Sequence, residues 1–291
     1  GKISSFAKKM LIPAYDVFDE ARYFEPAAGP SRISVGGNRI GVTICEDVWN
    51  DETFWAGRKY AVDPVKLLAA KKFDVLVNIS ASPFEIGKSG LRYRMLASCA
   101  RKYRRPVVQV NLTGGNDDLI FDGNSLAVGA DGKMICRAAA FREDMQVVDT
   151  DSGIAIKNFQ TQAAAEAHEA LVLGTRDYAR KTGFRSAVLG LSGGIDSSVT
   201  AGIAAEALGA DNVLGILMPG PYSSKGSIKD SLELAHALGI QTQTIPITPL
   251  YRATIGTLDR VFNGLKKDVT EENIQARIRG MILMAISNKF G

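Results

Sequence analysis

The stretch between residues 187 and 247 constrains the fold more than any other part of the chain. Residues 187–189 read as a strand, 198–208 as a helix, 213–218 as a second strand, 228–238 as a helix and 242–247 as a third strand. Parallel neighbours need a crossover long enough to hold a helix, so this βαβαβ order predicts a doubly wound parallel α/β sheet. The first strand feeds its helix through Gly190-Leu191-Ser192-Gly193-Gly194-Ile195-Asp196-Ser197-Ser198. At such a junction the backbone N–H groups and the helix dipole converge on an anion, and a phosphate is the natural occupant. The segment is not a Walker A loop, which requires GK[ST] after four spacer residues.

The same residues satisfy G-x-S-x-G through Gly190, Ser192 and Gly194, the nucleophile elbow of α/β-hydrolases, which needs a later acid and then a histidine. The one later histidine is His236, inside the amphipathic helical run 231–238 rather than in a loop above the sheet. A glycine turn with a purely structural role is the bland alternative.

Strand-like and helix-like runs also alternate upstream, as layered α/β proteins require. Strands are expected at 40–44, 75–79 and 107–111, where short apolar, β-branched runs read as buried. Helices are expected at 64–72 and 91–103, and a hairpin at 126–136 turning on Asp131-Gly132. The pattern weakens from 149 to 159, where Asp151, Ser152 and Gly153 mark a connector. The expected domains are therefore 1–155 and 156–291, the second opening on an alanine-rich helix at 163–182 that Gly183 ends.

With 291 residues, 46% hydrophobic and 23% charged, the chain can fill two medium cores. A net charge of +4 without a concentrated basic face argues against a nucleic-acid partner. Cys45, Cys99 and Cys136 are too few and scattered for a disulfide framework or a CxxC metal site, which suggests a reducing cytoplasm. No run approaches the roughly 18 apolar residues of a membrane span, and no secretory pattern opens the chain. The sequence begins without Met and stops just after an apolar helical pattern, so both ends read as truncations.

Three strings carry a family resemblance. Ser192-Gly193-Gly194-Ile195-Asp196-Ser197 resembles the SGGxDS pyrophosphate loop of the N-type ATP pyrophosphatases. Thr270-Glu271-Glu272-Asn273-Ile274-Gln275-Ala276-Arg277-Ile278-Arg279-Gly280, followed by residues 283–289, is similar to the TEENxQARxRG…LMAxSNK segment of NAD⁺ synthetases. Gly41-Val42-Thr43-Ile44-Cys45-Glu46-Asp47 resembles the nitrilase-superfamily G-x-x-I-C-E-D nucleophile motif. The segment 9–24, Asn78-Ile79-Ser80-Ala81-Ser82-Pro83-Phe84, Gly87-Lys88 and 114–125 resemble the glutaminase domains fused to NAD⁺ synthetases. On these strings the chain resembles the glutamine-dependent NAD⁺ synthetases along nearly its whole length. Departures are Pro219-Gly220-Pro221-Tyr222-Ser223-Ser224, where that family has a PSRYSS-like turn, and Leu112, Asn116 and Asp117.

The resemblance implies a partial nitrilase-like αββα sandwich followed by a partial doubly wound domain of the adenine nucleotide α-hydrolase type. It implies Cys45 as the thiolate that attacks glutamine's carboxamide, and Lys9 lowering the thiol pKa and stabilising the oxyanion. Glu20 matches a second, supporting glutamate, and Tyr15, Ser82 and Lys88 match glutamine contacts. The general base matches a position upstream of Lys9, so this chain alone is expected to show little glutaminase activity. Residues 190–198 would bind ATP, with Asp196 helping to hold Mg²⁺, and Asn273 and Arg277 would contact deamido-NAD⁺. The implied reaction converts deamido-NAD⁺, ATP, glutamine and water into NAD⁺, AMP, pyrophosphate and glutamate, in a homo-oligomer. A stand-alone carbon–nitrogen hydrolase, a glutamine-fed ligase with another acceptor, and a nucleotide binder without turnover stay open as alternatives.

Overall fold

The computed structural model describes residues 2–3, 5–57, 59–156 and 162–290, so the expected connector lies outside the described residues from 157 onward. The chain folds as two compact units, Gly1–Ala170 and Leu171–Gly291.

In the first unit, β1 (Ser31–Val35) and β2 (Asn38–Ile44) pair as an antiparallel hairpin. Its two-residue turn is Gly36-Gly37, both at positive φ, the backbone that tight hairpins demand. Then come α1 (Pro64–Ala70), β3 (Val75–Ser80), α2 (Lys88–Tyr103) and β4 (Val107–Asn111). Asp63 caps α1 by accepting from the Lys66 N–H at 3.0 Å, and Pro64 occupies the first turn, where its missing N–H costs nothing. A small hairpin of β5 (Thr113–Asn116) and β6 (Leu119–Asp122) leads to β7 (Leu126–Val128) and β8 (Met134–Arg137). The main sheet runs β1-β2-β3-β4-β7-β8, parallel through β2, β3 and β4 and antiparallel at both sides.

Helices cover one face of this sheet. Leu76, Val107 and Val128 close on Leu68 of α1 and on Met95, Leu96 and Ala100 of α2, none more than 1% exposed. The opposite face is apolar yet open, with Ile79 52% and Val110 51% exposed. The runs at 75–79 and 107–111 are thus buried on alternate residues only, because no layer among the described residues packs on their second face. One sheet with helices on one side is half of an αββα sandwich. Toward the carboxyl ends of the strands, the helix-covered face turns polar: Thr43, Asn78 and Gln109 lie side by side in register and are fully buried.

α3 (Ala163–Thr182), within which the division between the units falls, ends before Gly183 at positive φ. The second unit continues with β9 (Ala187–Leu191), α4 (Ile195–Leu208), β10 (Val213–Leu217), α5 (Lys225–Leu238), β11 (Gln241–Thr244), α6 (Thr248–Phe262) and α7 (Val269–Phe290). Its three strands are parallel in the order β11-β10-β9, the wound sheet expected of the sequence. Leu191, Val213 and Leu217 pack against Ala201, Ala204 and Ala235 of α4 and α5. Ile216 and Met218 pack against Tyr251 of α6 and Ile278 of α7 on the other side. The layering is α/β/α. α4 starts three residues earlier than the apolar pattern indicated, which places Asp196 in its first turn.

Candidate functional site

β2 ends at Ile44, and the chain turns sharply at Cys45 into a short 3-10 helix, Cys45–Val48. Cys45 sits at φ +46, the left-handed region that a side chain disfavours. Two buried side chains hold the turn. Asn78 of β3 donates from Nδ2 to the Cys45 carbonyl at 3.3 Å and to Thr43 Oγ1 at 3.1 Å, while its own Oδ1 accepts from Gln109 and Ser80. Asp47 accepts from the Ile44 N–H through Oδ2 at 3.0 Å.

The thiol faces a cavity of about 330 Å³ whose walls include Tyr15, Glu46, Trp49, Ser82 and Lys88. Cys45, Tyr15, Ser82 and Lys88, all singled out from sequence, therefore meet at one cavity. Lys9 and Glu20 do not line it but form a close ion pair, Lys9 Nζ lying 2.6 Å from Glu20 Oε2 and 2.7 Å from Oε1. Burial pushes the Cys45 thiol up; the Lys9 charge and an N–H from Ala81 pull it down, and Glu46 and Glu20 push it up again, leaving it above its ordinary value. The pull of Lys9 is outweighed by desolvation, the largest of these effects, together with the two carboxylates.

Ser82 is placed by a buried relay. Its N–H donates to Asn111 Oδ1 at 2.9 Å, and Asn111 Nδ2 donates to Asp122 Oδ1 at 3.2 Å. Asp122 is held by Arg92 through two bonds of 2.9 and 2.6 Å. Lys88 opens α2 beside Gly87 at φ +81; burial pulls its pKa down while Glu85 pulls it up.

Glu46 and Lys59 are two further residues at this cavity, neither among the candidates named from the sequence. Tyr15 Oη donates to buried Glu46 Oε1 at 2.7 Å, and Lys59 Nζ stands 3.5 Å over the Tyr15 ring. Burial, then that carboxylate, raises the Tyr15 phenol well above its usual range. The hint in the sequence was Glu46 directly following the candidate nucleophile; nothing in it pointed to Lys59.

In the second unit, the glycine loop joins β9 to α4. Gly193 has φ +77, and a Cβ there would lie 2.6 Å from the Ser227 carbonyl oxygen and 2.8 Å from its Cα, so no side chain fits. Ser192 and Ser197 hydroxyls lie 3.0 Å apart, and Ser197 and Ser198 Oγ both donate to the Gly194 carbonyl at 2.9 Å. A cavity of about 410 Å³ opens here, lined by Gly190, Leu191 and Ser192 together with Met218, Ser227 and Arg279. Gly193, Gly194, Ile195, Asp196, Ser197 and Ser198 stand outside that lining, on the loop and first turn of α4.

Asn273 and Arg277 lie on the exposed side of α7, where Arg277 Nη1 donates to the Asn273 carbonyl at 3.1 Å. Arg279, two residues on, turns inward and donates to the Met218 carbonyl at 3.3 Å. The elbow reading of Ser192 fails on placement. His236 sits in the last turn of α5, whereas the loop meets that helix at Ser227, nine residues or roughly 13 Å away along the axis. Asp196 is exposed, and no group of three or more His, Cys, Asp or Glu among the described residues is arranged to hold a metal.

A cysteine at a left-handed strand end beside a cavity, and a glycine loop that feeds a helix on a wound parallel sheet, define a protein of two α/β units, each with a candidate site at the carboxyl end of a strand. The chain belongs to the carbon–nitrogen hydrolase family, whose profile matches residues 1–156. The NAD synthase family profile matches residues 167–291, and the pairing is the make-up of the glutamine-dependent NAD⁺ synthetases. Similar curated proteins are the glutamine-dependent NAD(+) synthetases of Synechocystis, 48% identical over 297 residues, and of Thermotoga maritima, 40% identical over 329. Each alignment covers all of this chain, which spans about half the length of those relatives, 53% and 55%. Among solved structures, the Acinetobacter baumannii glutamine-dependent NAD+ synthetase in complex with ADP matches at 37% identity and TM-score 0.89, over 97% of this chain and 53% of that one.

Proposed function

We propose that the chain forms part of a glutamine-hydrolysing NAD⁺ synthetase. The observation that carries this reading is that one chain holds both a cavity-facing cysteine at a left-handed strand end and a strand, glycine loop and helix shaped for phosphate. Residues 1–155 supply the glutaminase part and 156–291 the synthetase part. No helix among the described residues is long and apolar enough to cross a membrane, and the proposed setting is a cytoplasmic homo-oligomer.

In the first unit the Cys45 thiolate attacks glutamine's carboxamide carbon, the amide nitrogen leaves as ammonia with a proton, and water hydrolyses the thioester to glutamate. Lys9 favours the thiolate, and the Ala81 N–H that reaches the sulfur stabilises it further. Glu20 anchors Lys9, while Tyr15, Ser82 and Lys88 bind the amino acid. The raised thiol requires a base to remove its proton before attack.

In the second unit the N-terminus of α4 and residues 190–198 take the phosphates of ATP. The deamido-NAD⁺ carboxylate attacks the α-phosphorus, pyrophosphate leaves, and ammonia then displaces AMP from the acyl adenylate. Asp196 is a single exposed carboxylate beside the loop, which fits a Mg²⁺ whose other ligands are phosphate oxygens and water rather than an all-protein site. Such an ion would neutralise phosphate charge. Asn273 and Arg277, open on α7, are available to the dinucleotide.

The test is made in the protein at the length of its relatives, following NAD⁺ and AMP with either glutamine or ammonium as nitrogen donor. Cys45→Ala should abolish glutamine-driven synthesis and leave ammonium-driven synthesis within about twofold. If the unsubstituted protein makes no AMP from deamido-NAD⁺ with either donor, the synthetase reading is wrong.

A further inference from the structure

The carboxylate of Asp47 joins two segments that are far apart in sequence. It is 2% exposed, and it accepts three backbone N–H groups: Ile44 at 3.0 Å on one oxygen, Met10 at 3.0 Å and Leu11 at 2.8 Å on the other. Ile44 and Cys45 form the elbow, whereas Met10 and Leu11 directly follow Lys9. The segment around Lys9 belongs to no helix or strand, so no sheet ladder fixes its height against the elbow. Its other ties include the Ala27 N–H on the Lys9 carbonyl at 2.9 Å, the Lys8 N–H on Ser31 Oγ at 3.1 Å, the Glu20 N–H on the Pro13 carbonyl at 3.3 Å and the Lys9 pair with Glu20.

We propose that Asp47 is a positioning residue, which locks the Lys9 segment to the Cys45 elbow and so holds the Lys9 ammonium where it acts on the sulfur. This rests on the proposed nucleophile role of Cys45. A carboxylate suits the task because it is acceptor-only and can take three donors, one oxygen receiving two. An amide cannot: one of its two atoms carries hydrogens, which would face backbone N–H groups and push one segment away. Asp47 itself does not line the cavity.

The readout is alkylation of Cys45 by iodoacetamide as a function of pH. It is followed on the Cys45 peptide by mass spectrometry, so Cys99 and Cys136 do not interfere. The charged or titratable groups that act on this sulfur are Lys9 and Glu20 from the N-terminal segment, Glu46 beside it, Tyr15 and Lys88 on the cavity wall, and Tyr60. Lys9→Met should move the alkylation midpoint up by about one pH unit. Asp47→Asn should produce most of that shift, with roughly a threefold or greater slowing at pH 8, and adding Lys9→Met to it should change little more. Tryptophan fluorescence checks that the variant is folded. Asp47→Ser, which removes the carboxylate without placing an amide against the N–H donors, carries the same expectation if Asp47→Asn does not fold.

In the unsubstituted protein, the Met10 and Leu11 amides should exchange with deuterium as slowly as that of Ile44. If Lys9→Met moves the midpoint and a folded Asp47 variant does not, the clamp is refuted while the nucleophile reading stands. Free exchange at Met10 and Leu11 refutes the clamp as well. If Lys9→Met leaves the midpoint unchanged, the coupling of Lys9 to Cys45 fails and the clamp fails with it.

Discussion

Cys45 and Gly193 mark the two points where the proposed chemistry rests on backbone conformation. A non-glycine residue in the left-handed region costs on the order of 1 kcal/mol, and Cys45 stays there because Asn78 holds its carbonyl and Asp47 holds the preceding N–H. Gly193 has no such option: its positive φ and the Ser227 backbone exclude any Cβ. Gly193→Ala should therefore lower stability by about 1–3 kcal/mol and abolish ATP-dependent AMP formation; a variant with unchanged thermal midpoint and activity would show that the loop tolerates a side chain. Both residues were legible in the sequence, since each sits in a short string with a mechanical reason for its spacing. Asp47 and Arg279 were present in such strings too, but their roles were not legible. A carboxylate reaching N–H groups 36 and 37 residues away, or a guanidinium reaching a carbonyl 61 residues away, leaves no periodic trace.

At the scale of elements, α2 and the β5–β6 hairpin are joined by the Arg92–Asp122 pair, 0% and 2% exposed. Burying two charges is costly, and the pair persists because bidentate geometry and the Asn111 and Asn124 amides satisfy the carboxylate. Arg92→Met should leave Asp122 buried and unpaired and cost about 3–5 kcal/mol, whereas Arg92→Met with Asp122→Leu should recover most of that loss. Urea unfolding followed by tryptophan fluorescence reports this unit alone, because the chain has two tryptophans, Trp49 and Trp55, both in it. A single variant as stable as the double would mean the pair contributes no more than its shape. β3, β4, β10 and the α2, α3 and α5 helices were readable as runs of a single period. β1, β5 and β6 were not: each is short, half exposed or glycine-rich, and is a strand only because a partner lies beside it.

Across the whole molecule, titration separates carboxylates that strengthen the first unit at neutral pH from those that weaken it. Hydrogen bonds from the Arg39 side chain and backbone hold Asp74 below the usual range. Burial pushes Asp51 up, but bonds from Lys102 and Thr53 outweigh it and leave it lowered. A carboxylate whose folded pKa is depressed contributes stability that is complete above its unfolded value, about 3.9, and is lost as the pH falls through the folded value. Burial raises Asp47 and Asp63, whose effect has the opposite sign, so stability should grow as the pH drops from neutral toward 4. The fluorescence-detected urea midpoint should then fall below about pH 4, with a shallower fall in Asp74→Asn; an equally steep fall in that variant would remove Asp74 from the account. The sequence by itself determined the wound α/β order, the glycine loop between strand and helix and the strand end at Cys45, because each depends on neighbours within a few residues and on repeating periods. Only the tertiary structure decided that Tyr15, Ser82 and Lys88 surround Cys45, that Glu46 and Asp47 bind other segments, and that one apolar sheet face stands open. Those outcomes depend on which distant strands pair and in what register, and a side-chain period of two fixes which residues share a face but not what is packed against it.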